Sequence, residues 1–291
     1  MSEERAMQSQ KNMPTTIFDA MGVEESANSL NQERRDQIIN RTITATAHEF
    51  RLNIFDPTRR PKPDSKRRRF ETPWGILERF APAGAGQAHA DLLEAILFNR
   101  EKTATDKDGE RIKILVDPAK VRKTANITSG EQLRDLVLEL QSIIIQVIQP
   151  RHLWCVGHLV DRIGPAYRSD KSLVSRYDPL TKGERALWRV DVGQALITFL
   201  GGDVLRNYDP APIARLDHGI SQAVARHIFT HKNEPKGGWT LDGLIQTVSG
   251  KIESVPMRHR RHEIRKDKEK LLEIGIRIER ERVHIVKTID I

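Results

Sequence analysis

The sequence predicts an α+β protein, because segments with helical apolar spacing alternate with short segments of alternating apolar and polar residues. Helices followed by a hairpin occur twice along the chain. The first and third helices are about forty residues apart in both halves, His89 to Ser129 and Ile220 to Met257. We therefore predict three parts: a partly disordered basic arm over residues 1–70, one domain over 71–200 and a second over 201–291.

Composition limits the classes of function. The 291 residues suffice for two domains and a tail, and the net charge of +8 favours an anionic partner such as nucleic acid. No run of eighteen apolar residues occurs and the start does not resemble a signal peptide, so we expect a cytoplasmic protein without a membrane partner. Cys155 is the only cysteine, which excludes an intrachain disulfide and a Cys-rich zinc site.

The most informative segment covers residues 257–274, with seven Lys/Arg against four Asp/Glu. Its apolar residues Met257, Ile264 and Leu271 recur seven apart, which predicts a helix with a narrow buried seam and a broad cationic surface. Gly275 stands where a helix C-cap is expected. Alternation on both sides of residues 279–282 then predicts a hairpin with a charged tip. A basic helix followed by a basic hairpin is typical of a winged helix that enters a DNA groove.

The first half has the same order of elements. Asp117 before Pro118 predicts one helix start, and Ser129 with Gln132 forms a capping-box pattern at another. In the second half, Thr240 is placed to cap a short helix. The predicted first-half elements are a strand over 76–80, a helix over 89–99, a strand over 112–116, two helices after 117 and 129, and strands over 143–148 and 153–163. This order predicts two tandem winged-helix domains.

The N-terminal part is less regular. A helix is expected over residues 30–48, followed by a run over 58–69 with seven basic residues and one acid. Prolines exclude a regular helix in that run. It is either a flexible arm that follows phosphates, with Arg67 and Arg68 in contact, or a solvated linker. Residues 164–184 form a long stretch with no regular pattern.

The two third helices differ in charge. Residues 131–141 carry one basic residue against three acids, a balance that phosphates would repel. We therefore expect the second half to read DNA sequence and the first to supply phosphate contacts or a protein interface. The predicted DNA contacts are Arg258, Arg260, Arg261, Arg265, Lys266 and Lys268 in the major groove, Arg280 and Arg282 on the wing, and Lys113, Lys120, Arg122 and Lys123 in the first half.

No catalytic site is predicted. A phosphate loop ending in Gly-Lys-Ser/Thr is absent. His152 and His158 would face away from Cys155 on a strand, so the three cannot converge on a metal. We therefore expect no enzyme activity, no cofactor and no metal.

Several segments resemble plasmid replication initiators of the TrfA/RepA type. They are Pro73-Trp74-Gly75 and residues 89–97, 221–231, 239–245 and 267–275, and the resemblance extends over about residues 71–291. It implies two winged-helix domains that bind double-stranded origin repeats (iterons) and control plasmid copy number. It further implies recruitment of the host initiator DnaA, the replicative helicase and sometimes the sliding clamp, a monomer–dimer equilibrium, and no nucleotide hydrolysis.

Residues 51–55 resemble a sliding-clamp peptide that would offer Leu52, Ile54 and Phe55 to an apolar pocket, although Arg51 replaces the usual Gln. The alternative is that Phe55 packs on the protein's own core. Two other functions stay open: a winged-helix transcriptional regulator, which includes an autorepressor, and a protein-interaction module whose basic helix is merely solvated. The DNA hypothesis requires the cationic surface of residues 257–274 to face solvent.

Overall fold

Two helices that are buried along nearly their whole length, Gln87–Phe98 and Gly219–Phe229, lie at the centre of the described structure. The structure is a computed structural model that describes residues 44–46, 53–61, 67–72, 75–105, 111–149, 152–178, 181–202, 205–250 and 253–286. Leu52 and most of the expected helix over 30–48 lie outside these residues.

The elements up to residue 165 alternate strands with helices. In chain order they are β1 Ala45–Thr46, β2 Arg68–Thr72, β3 Gly75–Phe80, α1 Gln87–Phe98, β4 Arg100–Thr105, β5 Ile112–Val116, α2 Pro118–Thr124, α3 Gly130–Gln141, β6 Ile144–Gln149, β7 His152–His158 and β8 Val160–Pro165.

The remaining elements begin with a hairpin and end with another. They are β9 Ser175–Asp178, β10 Gly183–Ala186, β11 Trp188–Val192, α4 Gln194–Gly202, β12 Leu205–Arg206, α5 Ala211–Ala214, α6 Gly219–Phe229, β13 Trp239–Thr240, α7 Leu241–Ser249, α8 Ser254–Lys266, α9 Lys268–Glu273, β14 Ile276–Glu279 and β15 Arg282–Ile285.

Strand pairing among the described residues is antiparallel throughout the named sheets. The first half contributes the sheets β2-β3-β6-β7 and β4-β5-β11-β8. The second contributes β13-β15-β14, in which Ile278 lies opposite Val283. Helices and antiparallel sheets together give the α+β class that the sequence predicts.

Helix starts follow the predicted local chemistry. The side chains of Asp117, Ser129 and Thr240 accept hydrogen bonds from backbone N–H groups of their own first turns, at 2.9, 3.0 and 3.2 Å. The capping box is only half formed, because the Gln132 side chain accepts from the N–H of Thr128 instead of Ser129. Gly275 has φ +80° after α9, the left-handed conformation expected at that C-cap.

The long cationic helix is interrupted at Asp267, where α8 ends and α9 begins. The Asp267 side chain is buried, and its carboxylate accepts bonds from the backbone N–H groups of Asp217 and His218 at 3.2 and 3.1 Å. These bonds hold residue 267 against the start of α6. The prediction of one continuous helix over 257–274 was therefore wrong.

Three further predictions need correction. Ala45–Thr46 is a strand paired with Leu205–Arg206, so the helix expected over 30–48 does not include it. The stretch over 164–184 is not irregular throughout, because β9 pairs with β10. The basic run over 58–69 is not a free arm along its described length. Arg68 and Arg69 belong to β2, and the carbonyls of Thr58 and Arg59 accept hydrogen bonds from the first turn of α1.

A polar cluster joins the two central helices; we call it the Arg226 cluster. The Arg226 guanidinium on α6 donates to the carboxylates of Asp91 and Glu94 and to the side-chain amide oxygen of Gln87, all on α1. The Tyr208 hydroxyl also donates to Glu94. The division at residue 200 stays a prediction, because these contacts tie the two halves together.

Candidate nucleic-acid interface

The cationic helix is anchored by the apolar seam that its sequence predicts. Met257 and Ile264 of α8 are buried, and Leu271 continues the seam in α9. These apolar side chains fix which surface of α8 faces the core. The remaining positions of α8 therefore face its flanks or the solvent.

Three of the exposed side chains of α8 follow one another at a spacing of four residues. Arg258, His262 and Lys266 are exposed and form what we call the outer stripe. None of the three has a side-chain partner among the residues that the structure describes. His262 was not among the predicted contacts, although its spacing from Arg258 and Lys266 is visible in the sequence. The outer stripe is free to contact an anion.

Arg260 and Arg261 flank the buried seam and are held by the protein. Arg260 donates to the Pro57 carbonyl at 3.2 Å and pairs with Glu263 at 3.1 Å. Arg261 donates two bonds to the Asp242 carboxylate on α7. These bonds lower the pKa of the Asp242 carboxyl and raise the pKa of Arg261, so the pair stays ionised at neutral pH. Neither arginine faces solvent as freely as the outer stripe.

The hairpin β14–β15 lies beside the end of α8. Arg265 pairs with Glu281 at the hairpin tip at 2.6 Å, and Arg280 occupies that tip with φ +52°. An open depression is lined by Lys268 of α9 and by hairpin residues that include Arg280 and Arg282. The two acids at the tip, Glu279 and Glu281, partly offset these cations.

The base of the hairpin is fixed by Glu234. Its carboxylate accepts a bond from the Ile285 N–H at 2.6 Å and lies 2.7 Å from His284 Nδ1. Partial burial would raise the pKa of Glu234, but these bonds lower it. The loop after α6 therefore holds the hairpin in place next to α8.

The predicted contacts of the first half lie on separate elements. Arg122 and Lys123 are exposed on α2, while Lys120 pairs with Glu101 at 3.1 Å and Lys113 lies on β5. Arg67 and Arg68 carry ion pairs to Glu78 and Asp56 at 3.9 and 2.7 Å. Three of these six cations, Lys120, Arg67 and Arg68, are therefore already paired with acids of the same chain.

The acidic third helix, α3, presents an apolar side chain to solvent. Leu138 is 61% exposed, and Glu139 lies 2.9 Å from His89 Nε2. The hydrogen bond from His89 lowers the pKa of the Glu139 carboxyl. An anionic helix with an exposed leucine is a poor match for phosphates. The expected asymmetry between the halves stays a prediction.

Two residues of the proposed clamp peptide are buried. Ile54 and Phe55 are 0% and 4% exposed, and Leu52 lies outside the described residues. Phe55 therefore packs on the protein's own core, which was the alternative interpretation. In this conformation neither side chain is available to a clamp.

No protein family model matches the chain, and no curated protein matches it. A solved structure described as the crystal structure of the RctB domains 2-3 is similar to it at 10% sequence identity and a TM-score of 0.44. The similarity covers 73% of this chain and 81% of that chain. A likeness of this size carries no conclusion about function.

Two kinds of feature are absent from the described parts of the chain. No helix there is long and apolar enough to cross a membrane. No group of three or more His, Cys, Asp or Glu side chains in those parts could hold a metal ion.

Proposed function

We propose that this protein binds double-stranded DNA sequence-specifically through α8 and the β14–β15 hairpin, as a plasmid replication initiator at origin repeats. The observation that carries the proposal is the outer stripe of Arg258, His262 and Lys266, which faces solvent beside a hairpin whose Arg280 and Arg282 are exposed. An α-helix fits the major groove, and an adjacent hairpin can follow the phosphate backbone.

The element order supports a winged helix in the second half. Helix α6, strand β13, helices α7 and α8, and the hairpin follow one another, with β13 paired to β15. In the first half, α1, α2, α3 and the hairpin β6–β7 have a similar order. Both orders support the tandem winged-helix interpretation.

In this proposal the cations form two groups: those that have no side-chain partner within the described structure and those that pair with an acid of the same chain. Arg258 and Lys266 contact base edges or phosphates directly, and Lys268, Arg280 and Arg282 contact phosphates. These five have no side-chain partner in the described structure. Arg261 and Arg265 reach DNA only by exchanging Asp242 and Glu281 for phosphate.

A salt titration of duplex binding tests the electrostatic contact. With about five phosphates neutralised, log affinity should fall against log salt with a slope of roughly −4.5. The double variant Arg258→Ala/Lys266→Ala should reduce the magnitude of that slope by about 2. Lys182→Ala, at an exposed turn before β10, serves as the control and should keep the wild-type slope. A flat salt response of the wild type would contradict the proposal.

A footprint on DNA flanking the gene separates the initiator from a transcriptional regulator with the same DNA chemistry. Direct repeats favour the initiator, and a palindrome favours a dimeric regulator. Recruitment of DnaA, the replicative helicase or the sliding clamp belongs to the initiator proposal. Clamp binding through Ile54 and Phe55 would first require their release from the core.

One observation favours a protein-interaction module instead. Arg261 and Arg265, which were expected to face DNA, pair with acids of the same chain. Complete absence of binding to random-sequence duplex at low salt would support that function and exclude a DNA-binding one.

A further inference from the structure

Residues 53–61, which we call the strap, cover the start of α1. The N–H groups of Gln87 and Ala88 donate to the carbonyls of Thr58 and Arg59 at 2.8 and 3.0 Å. The first N–H groups of a helix have no partner inside the helix. The strap supplies partners for these two, so its backbone forms the N-terminal cap of α1.

Two glycines make the close approach of the strap possible. A Cβ atom on Gly86 would lie 2.5 Å from the Thr58 carbonyl oxygen, and one on Gly219 would lie 2.5 Å from the Arg59 nitrogen. Gly86 precedes α1, and Gly219 is the first residue of α6. The strap therefore passes between the starts of the two central helices, where only glycine leaves room for it.

The strap is also bonded to second-half elements. Arg59 donates to the Leu216 carbonyl at 3.0 Å, and the Asn53 amide donates to the Thr247 carbonyl at 2.8 Å. On the cationic helix, Arg260 donates to the Pro57 carbonyl at 3.2 Å. The strap thus reaches the chain before α6, the end of α7 and the flank of α8.

First-half side chains hold the same segment. The Asp56 carboxylate accepts from Arg79 and Arg68 at 3.1 and 2.7 Å. Ile54 and Phe55 are buried. Because both halves contact one short segment, a shift of the strap would change how α8 sits relative to α1.

We propose that the strap sets the orientation of α8 relative to the first half, with Arg260 as a positioning residue that acts through Pro57. This inference rests on the proposed DNA-binding function and adds a role for the strap in it. The affinity for DNA that extends past α8 onto the first half should depend on the position of the strap. The affinity for DNA that contacts only α8 and the hairpin should not depend on it.

Gly219→Ala and Gly86→Ala test the contact without changing charge, since each adds one methyl group against the strap backbone. Gly130→Ala is the matched control, because Gly130 is the first residue of α3 and a Cβ there meets nothing within 4 Å. Hydrogen exchange of the peptide containing Gln87 and Ala88 should become about tenfold faster in both test variants and stay unchanged in the control. Unchanged exchange in both test variants would overturn the proposal.

Hydrogen exchange in the hairpin β14–β15 distinguishes a local change at the strap from loss of the whole fold. If the fold is intact, the hairpin should keep wild-type protection. If the glycine variants lose that protection too, Arg260→Met replaces them. This variant removes the bond to Pro57 and leaves the glycine contacts intact. Faster exchange at Gln87 and Ala88 in Arg260→Met with a protected hairpin supports the proposal, and wild-type exchange overturns it.

The DNA experiment compares random-sequence duplexes of about 12 and about 30 base pairs, roughly one and three helical turns, at low salt. Gly219→Ala should weaken binding of the longer duplex at least about fivefold and leave the shorter one within about twofold. Equal effects on both duplexes would overturn a positioning role. If the wild type bound neither duplex, the proposed function would fail, and exchange would still report whether the strap is held.

Discussion

Arg226 and Arg258 are the same residue type in opposite settings. Arg226 is 0% exposed, and its guanidinium contacts Glu94 at 2.8 Å and Gln87 at 2.6 Å, both on α1. Arg258 is exposed on α8 and has no side-chain partner within the described residues. The buried charge is committed to the fold, whereas the exposed one is available to a ligand. Charge alone therefore does not show which cations of a basic protein bind DNA.

Burial also shifts the pKa values of the charged groups in the Arg226 cluster. Burial raises the pKa of Asp91 and Glu94, although Arg226 opposes that shift. Burial alone would lower the pKa of Arg226, but the two carboxylates outweigh it and raise the pKa. The charges of the Arg226 cluster depend on one another, since each is costly in a buried site without its partners.

The largest effect is expected from Arg226→Met. It leaves Asp91 and Glu94 buried without their cation, so the free energy of unfolding should fall by about 3–5 kcal/mol. Urea unfolding measures the loss. Arg258→Met is the control and should change stability by less than about 0.5 kcal/mol. Similar losses for the two variants would remove the contrast between the buried and exposed sites.

The pH dependence of Arg226→Met sharpens the same comparison. The carboxyls of Asp91 and Glu94 have raised pKa values in the folded protein, so the folded state binds protons more tightly than the unfolded state. Without Arg226 this difference should grow. The stability deficit of the variant should therefore shrink as pH falls from 7 toward about 4, the unfolded pKa of these groups. Urea unfolding at several pH values would show a constant deficit if the carboxylates were not responsible.

A smaller loss is expected from Tyr208→Phe. The substitution removes the hydroxyl that donates to Glu94 and leaves a buried acceptor with one bond fewer. Such a change costs about 1–3 kcal/mol, measurable by urea unfolding. Tyr177→Phe is the control, because Tyr177 is 62% exposed. Equal stability of Tyr208→Phe and the wild type would mean that this hydroxyl contributes nothing to the Arg226 cluster.

The smallest effect is expected on the surface, from Asp242→Asn. Loss of this half-buried ion pair should lower stability by less than about 1 kcal/mol. Because the pKa of Asp242 is lowered in the folded protein, this contribution is present above about pH 4 and is lost as pH falls further. Freed from Asp242, Arg261 should raise the affinity for random-sequence duplex at low salt about two- to fivefold.

A matched control for that measurement is Asp170→Asn, which removes an exposed acid from the turn before β9. Its affinity for duplex should stay within about twofold of wild type, because the loss of one distant negative charge has only a small general effect. Equal gains for Asp170→Asn and Asp242→Asn would assign the effect to net charge and not to Arg261.

Features that depend on neighbouring residues were predicted well from the sequence. The caps at Asp117 and Thr240, the seam of Met257, Ile264 and Leu271, and the hairpin after Gly275 all rest on spacings of a few residues. Each of them lies in the structure where the sequence places it.

Features that depend on distant partners could not be predicted from spacing. The Asp267 carboxylate bonds to the backbone about fifty residues away, and the acids that hold Arg226 lie more than one hundred residues away. Arg226 occupies a helix whose apolar spacing gives no sign that an arginine is buried. The sequence likewise places the strap in a basic arm, because Gly86 and Gly219 carry no spacing signal for the segment between them.

In the proposed function, the outer stripe is the part of α8 where substitutions can change the preferred DNA sequence without loss of the fold. Arg258, His262 and Lys266 are not bonded to other described side chains, so substitutions there cost the fold little. A library randomised at these three positions should yield many well-folded proteins with different preferred sequences. Changes at Arg260 or Arg261 would alter recognition and architecture together, so new specificities should arise first along the outer stripe.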